Sequence, residues 1–494
     1  MFRTLSILVL TSMLALAAAQ TVTVGLFQDP PNLDPARSTA TSEYVVLQQI
    51  FDTLLTFDPS GAVVPNLATE WSISDDGLVY TFTLRQGVNF HDGTPFDASA
   101  MKYSLDRART LAGGAFVEQL SNVTAVDVVD DFTVRITLGR PQGAFLTYLA
   151  DRSSTPVSPT AADAAGDAFG TAPVGTGPFR FVSRVQQDNI TLERNPDYWG
   201  GAPAIEQVIF RFFPDGAVRY ANLRSGAVDL IYPIESRDYV TAQNDASISL
   251  IRQPTNGWRI LVMNTTKPPF DSVDLRRAVA ASLDREAINQ IVFNGLEFPA
   301  TSMIPSGSPF YVPSDDALVN AQPEEAQAFV AASGVGSVTP VLTTIARSPE
   351  DQLTQLIQAM AEQGGVDLRI DAVEVGEYQR RYGARDFEFL TMQWSGQADP
   401  DANVTSFLTT DGFWNWSGYS NARVDELLAA AQSSSDQAER AALYGEAMEI
   451  VREEVPIVFL TNQVRLVGTT ADLEGVRLLP NTGILVLKDA VLRD

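Results

Sequence analysis

The chain has 494 residues, which is too many for one hydrophobic core, so we expect two or more lobes. Its content of 45% hydrophobic and 19% charged residues is that of an ordinary globular protein. The formal net charge of −26 argues against a surface that binds nucleic acid or an anionic membrane.

The N-terminus predicts an export signal. Arg3 supplies a short positive region, residues 5–16 form an apolar core, and residues 17–19 place three alanines at a cleavage site before Gln20. The apolar run is too short to span a membrane, and the chain contains no cysteine that could accept a lipid. We therefore expect a signal peptide at 1–19 and a mature protein that is soluble and periplasmic, not a lipoprotein.

The first half of the chain predicts strands and tight turns. A strand begins at Thr21, and residues 42–55 have the apolar spacing of an amphipathic helix capped by Ser42. Residues 78–85 alternate between apolar and polar side chains after an Asp-Asp-Gly turn, which is typical of a half-buried strand. The Gly-Thr-Gly string at 175–177 leads into a strand and not into a helix, so it is not a phosphate-binding loop.

The sequence pattern changes near Gln253, where a second lobe is expected to begin. Residues 274–293 predict one helix that Asn-Gly at 294–295 ends. The string Ser-Pro-Glu-Asp at 348–351 is a helix start with a cap, a proline and acids in the first turn. Further predicted elements are helices over 421–431 and 436–454 and strands over 366–375 and 455–460.

Several long strings resemble one protein family. Residues 67–71 read Leu-Ala-x-x-Trp, and residues 76–95 read Asp-Gly-x-x-Tyr-x-Phe-x-Leu-Arg-x-Gly-Val-x-Phe-His-Asp-Gly-x-Pro. Gly-Thr-Gly-Pro-Phe at 175–179 and Asn-Pro-Asp-Tyr-Trp at 195–199 extend the match. The chain resembles the extracytoplasmic solute-binding proteins of peptide- and nickel-type ABC importers, the oligopeptide- and dipeptide-binding group called solute-binding protein family 5.

The resemblance implies an α/β fold, the two-lobe clamshell of periplasmic binding proteins with an extra subdomain in the first lobe. Lobe I is expected over 20–252, with the inserted subdomain at about 60–172, and lobe II over 253–462. Residues 463–494 are expected to return to lobe I. The chain would then cross between lobes twice, near Gln253 and near Asn462.

The sequence gives little support for catalysis or for metal binding. The single histidine, His91, lies in a predicted turn, and the lack of cysteine excludes Cys/His catalysis and cysteine-based metal sites. Residues 399–403 imitate the start of a calcium loop, but Val404 replaces its glycine and Thr410 its final glutamate. We expect no enzymatic activity, no cofactor and no metal.

The resemblance also implies ligand-binding residues. In peptide-binding relatives an aspartate three residues after a tryptophan holds the α-ammonium group of the peptide. Trp394 matches the tryptophan, but Gln397 stands at the aspartate position, and an amide cannot pair with a buried cation. The nearby Asp399 and Asp401 are possible substitutes. Plain core packing is the alternative role for Trp394.

An arginine supplies the second implied contact. Arg347 matches the arginine with which dipeptide-binding relatives hold the ligand carboxylate, and its fork of donors suits that role. The alternative is a surface arginine that leads into a helix. Gln28, Trp258 and Asn264 belong to segments that face the cleft in relatives and are further candidates.

By resemblance, the expected function is an extracytoplasmic receptor that captures a small ligand, a short peptide or peptide-like compound, and delivers it to an ABC permease and its ATPase. Gln397 keeps open an oligosaccharide or another non-peptide solute, and an extracellular hydrolase is a distant alternative. We expect a monomer that binds no nucleic acid. A ligand that contacts both lobes would select their closed arrangement.

Overall fold

A computed structural model of the chain describes residues 20–59, 61–314, 319–336, 338–480 and 482–493, so the expected signal peptide at 1–19 lies outside the described residues. Its strands are β1 (Thr21–Leu26), β2 (Leu55–Phe57), β3 (Val63–Pro65), β4 (Ala68–Ile73), β5 (Val79–Leu84), β6 (Val123–Asp130), β7 (Thr133–Leu138), β8 (Phe179–Val185), β9 (Asn189–Arg194), β10 (Gln207–Phe212), β11 (Leu230–Tyr232), β12 (Ile248–Met263), β13 (Phe298–Pro299), β14 (Val341–Ile345), β15 (Arg369–Val373), β16 (Phe389–Trp394), β17 (Ile457–Thr470), β18 (Leu473–Glu474), β19 (Arg477–Leu478), β20 (Leu485–Val486) and β21 (Val491–Leu492).

The helices are α1 (Thr41–Ile50), α2 (Ala98–Thr110), α3 (Phe145–Ala150), α4 (Pro159–Ala165), α5 (Gly216–Arg224), α6 (Ser236–Ala242), α7 (Val273–Ser282), α8 (Arg285–Phe293), α9 (Pro323–Ala332), α10 (Glu350–Gln363), α11 (Val375–Gly383), α12 (Ser406–Leu408), α13 (Ala422–Ser433) and α14 (Gln437–Glu454). Short 3₁₀ turns occur at Arg152–Ser154 and Gly166–Thr171, and a π-helical turn at Asp401–Thr405 precedes α12. Within the described ranges, no helix combines the length and the apolar character needed to cross a membrane.

One large mixed sheet organises the molecule. Its strands follow the order β15-β14-β16-β12-β17-β11-β1-β10-β9-β8, and β13 pairs with β17 off this path. Strand β1 is parallel to β10 and β11, and β14 is parallel to β15 and β16, whereas β12 and β17 run antiparallel to each other. Helices between the parallel strands give the expected α/β class.

The first core includes the end of the chain. Val24 of β1 and Val45 of α1 are fully buried together with Leu485 and Leu487. Gln49 fixes this contact, because its Nε2 donates to the Leu485 carbonyl at 2.7 Å and its Oε1 accepts from the Leu487 amide at 3.1 Å. The C-terminal segment therefore packs in the first core, and we call the part of the protein built around this core the first body.

Helix α1 differs from the prediction at both ends. It begins after Ala40, where the Glu43 carboxylate accepts hydrogen bonds from the Thr39 and Ala40 amides at 2.7 Å, so Glu43 and not Ser42 satisfies free amides there. The helix ends at Ile50 and not at 55, because Leu55 begins strand β2, which pairs with β3.

A separate four-stranded antiparallel sheet, β4-β5-β7-β6, forms with α2 and α3 the body that we call the inserted subdomain. The alternation predicted for residues 78–85 is present, since Tyr80, Phe82 and Leu84 are buried on one face of β5. Their core is distinct from the first one. The exact limits proposed for this subdomain stay a prediction.

Buried Asp52 explains why two strings of the sequence signature occur together. Its Oδ1 accepts from the Tyr198 hydroxyl, and its Oδ2 accepts from the Thr176 hydroxyl and from Nε1 of Trp199, each at 2.9 Å. His91, from a third string, contacts the Gly177 carbonyl through Nε2 at 3.0 Å. Burial raises the pKa of Asp52 despite these three donors. The three sequence strings that carry the resemblance thus contact one another here, and their role at this place is structural.

The described residues between 258 and 460 form what we call the second body, which has a core on each face of β14, β16 and β12. Trp258 and Met392 point to one core, whereas Leu261 and Phe389 point to the other. The single helix predicted over 274–293 is in fact α7 and α8, because Asp284 interrupts it and caps the second helix by accepting from the Ala287 amide at 2.8 Å.

Two long strands join the bodies. Strands β12 and β17 pair from Ile248 with Thr470 to Val262 with Ile457, and the register shifts between Pro254 and Trp258. Strand β17 is thus much longer than the predicted strand over 455–460. The two proposed crossing points, Gln253 and Asn462, lie on these paired strands beside the register shift. The lobe boundaries themselves stay a prediction.

Candidate functional site

A cavity of about 370 Å³ lies at the edge of the large sheet where β14 and β16 end; we call it the sheet-edge cavity. Parallel strands bring their carboxyl ends to the same edge, which is where α/β sheets bind ligands. Arg347 follows β14, and Trp394 ends β16. Strand β12 runs antiparallel to β16 and adds Arg259, opposite Gln393. The volume suits a small molecule.

One side of the cavity is a continuous row of rings, the aromatic wall. Ring centroids are 5.8 Å apart for Trp394 and Trp414, 5.2 Å for Trp414 and Trp416, 4.6 Å for Trp416 and Tyr382, and 5.6 Å for Tyr382 and Tyr378. The two tyrosines lie on one face of α11, one turn apart. Such tilted and edge-to-face packing fixes the rings and leaves apolar surface for a ligand.

The floor contains a charged group centred on Arg259. Its Nε is 3.2 Å from both carboxylate oxygens of Glu297, and its Nη1 donates to Oε1 of Gln393 at 2.8 Å and lies 3.5 Å from Oε1 of Glu350. Burial acts to lower the pKa of Arg259, but the two carboxylates raise it overall. Burial raises the pKa of Glu297. The guanidinium of Arg259 therefore already contacts groups of the protein.

Arg347 is the free cation of the cavity. Its side chain is exposed, and within the described part of the chain no carboxylate forms an ion pair with it. The carbonyl of Arg347 accepts from the Asp351 amide at 3.1 Å, so the residue is held at the entry to α10. That helix starts at Glu350, one residue later than the sequence predicts, because Pro349 is its N-cap.

The family model described as bacterial extracellular solute-binding proteins, family 5, middle region, matches residues 62–416. The chain belongs to this family. It is 31% identical over 483 residues to the glutathione-binding protein GsiB of Salmonella paratyphi A, which covers 94% of this chain and 93% of that protein. The resemblance drawn from the sequence is confirmed, and the function class is that of an extracellular ABC-transporter binding protein, not an enzyme.

Solved structures confirm the fold class. HbpA2 from Haemophilus parasuis matches with a TM-score of 0.86 and 27% identity over 96% of this chain and 100% of that chain. DppA from Helicobacter pylori, in complex with the peptide STSA, matches with a TM-score of 0.80 and 26% identity over 95% of this chain and 98% of that chain.

In this family 5 protein, Gln397 lies in a tightly bonded loop and does not line the sheet-edge cavity. Its backbone N–H donates to Oδ1 of Asn403 at 2.8 Å, and its backbone carbonyl accepts from Nδ2 of Asn403 at 2.8 Å and of Asn256 at 2.9 Å. Asn403 also accepts from Nε1 of Trp394 at 3.1 Å, which orients that ring.

Asp399 and Asp401, the possible substitutes, are buried and bonded inside the protein. Arg440 contacts both carboxylate oxygens of Asp399, at 2.6 and 2.9 Å. Oδ2 of Asp401 accepts from the Tyr148 hydroxyl at 3.2 Å, and its Oδ1 accepts from Thr405 at 2.8 Å. Neither presents a free carboxylate to the cavity. In the residues that the structure describes, no cluster of acidic or histidine side chains could hold a metal ion.

The three weaker candidates also lie off the cavity. Trp258 is fully buried, with its ring 6.4 Å from that of Trp394, so it supports the aromatic wall from beneath. Asn264 is fully buried, and its Nδ2 donates to the carbonyls of Arg385 and Phe387 at 3.1 Å. Gln28 is exposed just after β1 in the first body. Packing and backbone bonding account for the two buried residues.

Sequence reasoning missed most of the aromatic wall and the charged floor. Trp414 and Trp416 had a visible signal in the aromatic string at 413–416, and Tyr378 and Tyr382 in a four-residue spacing on a polar segment. Glu350 gave no signal beyond an acid in the first turn of a helix.

A larger cavity, of about 700 Å³, lies between α2 and α4, but its charges are already paired. Lys102 and Asp106 form an ion pair at 2.7 Å, and the Tyr103 hydroxyl donates to Asp163 at 2.5 Å. Arg107 is bound to Asp34 at 2.6 Å. The sheet-edge cavity, with its free cation, is the stronger candidate for the ligand site of this family 5 protein.

Proposed function

We propose that this protein is an extracytoplasmic receptor that binds a short peptide or peptide-like compound in the sheet-edge cavity and delivers it to an ABC permease with its ATPase. The observation that carries the proposal is the free guanidinium of Arg347 beside the aromatic wall. A guanidinium fork binds a carboxylate through two parallel hydrogen bonds, and the rings accept an apolar side chain.

Two similar proteins support a peptide ligand. GsiB is named a glutathione-binding protein, and DppA from Helicobacter pylori is in complex with the peptide STSA. Peptides offer both a carboxylate and side chains, which are the groups that the cavity accommodates. We further propose that the protein works as an exported periplasmic monomer.

We also propose that the ligand stabilises a closed arrangement of the two bodies. The β12–β17 ribbon joins them, and its register shift at 254–258 offers a place to bend. The inserted subdomain already approaches the second body, since the Gly143 amide donates to the Gln432 carbonyl at 2.8 Å. A side chain at Gly143 would come within 2.0 Å of the Ser434 carbonyl oxygen, so this approach requires glycine.

A neutral solute such as an oligosaccharide is the second candidate. The aromatic wall favours it, because sugar rings stack on aromatic faces. An unpaired Arg347 favours an anionic ligand instead. Native mass spectrometry of the protein purified gently from its natural host separates the two, because a co-purified ligand identifies itself by mass. A peptide mass supports the proposal, and a hexose series contradicts it.

A further inference from the structure

Glu350 is the one carboxylate among the described residues that line the sheet-edge cavity. The residue is only 6% exposed, at the first position of α10. Its Oε1 has a long contact of 3.5 Å with Arg259, and its Oε2 is buried without a hydrogen-bond partner. Buried carboxylate oxygens are normally bonded, so this atom needs an explanation.

Arg259 does not neutralise Glu350 fully, because it also serves Glu297. Both Glu297 oxygens accept from Nε of Arg259 at 3.2 Å, and Oε2 also accepts from the Thr461 hydroxyl at 2.5 Å. Arg259 thus divides its hydrogen bonds between two carboxylates, and it leaves Oε2 of Glu350 without a donor.

Arg347 supplies the opposite charge from the same short segment. It lies three residues before Glu350, and both residues line the sheet-edge cavity. The described residues show no ion pair between the two. A free cation and a carboxylate with one unbonded oxygen therefore line the same cavity.

We propose that Glu350 binds the cationic group of the ligand while Arg347 binds its carboxylate. This inference rests on the proposed function and narrows its ligand class to short zwitterions, such as dipeptides. In a dipeptide the ammonium and carboxylate groups are separated by about one or two residues, at ~3.8 Å per residue. Glu350 takes the role that the resemblance assigns to the position of Gln397, and it does so because Asp399 and Asp401 are bonded elsewhere.

Calorimetry with a free-amine dipeptide and its N-acetyl form tests the assignment. Wild type should bind the free amine at least tenfold more tightly than the acetylated peptide. Glu350→Gln keeps the shape and the Oε1 acceptor but loses the charge, so it should remove this preference by weakening the free amine alone. Circular dichroism confirms that the variant is folded.

Glu377→Gln is the matched control, because it makes the same change at a glutamate of α11 that pairs with Arg380, does not contact Arg259 and does not line the cavity. Its preference for the free amine should remain. An unchanged preference in Glu350→Gln, with Arg347-dependent binding of both peptides, overturns this inference alone. If wild type binds neither peptide at millimolar concentration, the proposed function fails and takes this inference with it.

Discussion

Arg440 forms a buried ion pair with Asp399 in which it donates to both carboxylate oxygens, from Nη2 to Oδ1 at 2.6 Å and from Nη1 to Oδ2 at 2.9 Å. The guanidinium also donates to the Ala431 carbonyl at 3.1 Å and to the Tyr444 hydroxyl at 3.1 Å. Burial acts to lower the pKa of Arg440, but its bonds to Asp399 raise it overall. This pair lies within the scaffold of the second body, and neither residue lines the sheet-edge cavity.

Breaking that pair should cost stability. Arg440→Ala leaves the Asp399 charge buried and alone, which we expect to lower the free energy of unfolding by about 3–5 kcal/mol. Arg423→Ala, which breaks a half-exposed pair with Glu446 at 2.7 Å, is the control and should cost less than about 1 kcal/mol. Urea unfolding measures both. Equal losses would contradict a structural role for the buried pair.

Asp401 should make stability depend on pH. Burial, and then the charge of Asp399, raises its pKa above the ordinary value of 3.8. Its contribution to stability is fully present below pH 3.8 and is lost as the pH rises through the higher folded-state pKa. Asp401→Asn cannot ionise, so its stability relative to wild type should be higher at pH 7 than at pH 4. A difference that is the same at both values refutes this.

Tyr148 should bias the closed arrangement. Its hydroxyl, on α3 of the inserted subdomain, reaches Asp401 of the second body at 3.2 Å. Tyr148→Phe removes one hydrogen bond between the bodies, worth about 1 kcal/mol, so the ligand-free protein should open more often. Small-angle scattering should show a larger radius of gyration without ligand and an unchanged radius at ligand saturation. A ligand-free profile identical to that of wild type argues against this contact as a latch.

Gln397→Asp should not create a preference for free amines. The resemblance alone suggests a gain, because an aspartate holds the ammonium at that position in relatives. The backbone of residue 397 is bonded to Asn403 and Asn256, and residue 397 is not among those that line the sheet-edge cavity, so we expect an added charge there to lie out of reach of the ligand. Calorimetry with free and N-acetylated dipeptides decides the matter. A tenfold gain confined to the free amine would place the ligand's amine at residue 397.

Much of the fold could be predicted from local pattern. Alternation in β5 and the acid-rich start of α10 are short-range signals, and both elements lie within a residue or two of their expected places. The break between α7 and α8 was missed because apolar spacing continues through Leu283, while the cap at Asp284 is visible only from its bond to Ala287. Strand β17 was predicted too short because its length depends on its partner β12.

The site was less predictable. Arg347 and Trp394 came from the resemblance, and the structure brings both to one cavity. Asp399 seemed available because its partner, Arg440, is 41 residues away in sequence. The proposed role of Glu350 depends on how Arg259 distributes its hydrogen bonds among its partners. This distribution cannot be predicted from the sequence.

Calorimetry of Arg347→Ala tests the central claim most directly. Wild type should bind a free-carboxylate dipeptide, and the variant should lose about 2–5 kcal/mol of binding free energy, because the ligand's charge then lacks its partner. Arg237→Ala changes an arginine that is 78% exposed outside the cavity and should bind as wild type does. A C-amidated dipeptide should bind both Arg347→Ala and wild type equally weakly. Full affinity of Arg347→Ala for the free-carboxylate dipeptide would contradict the account.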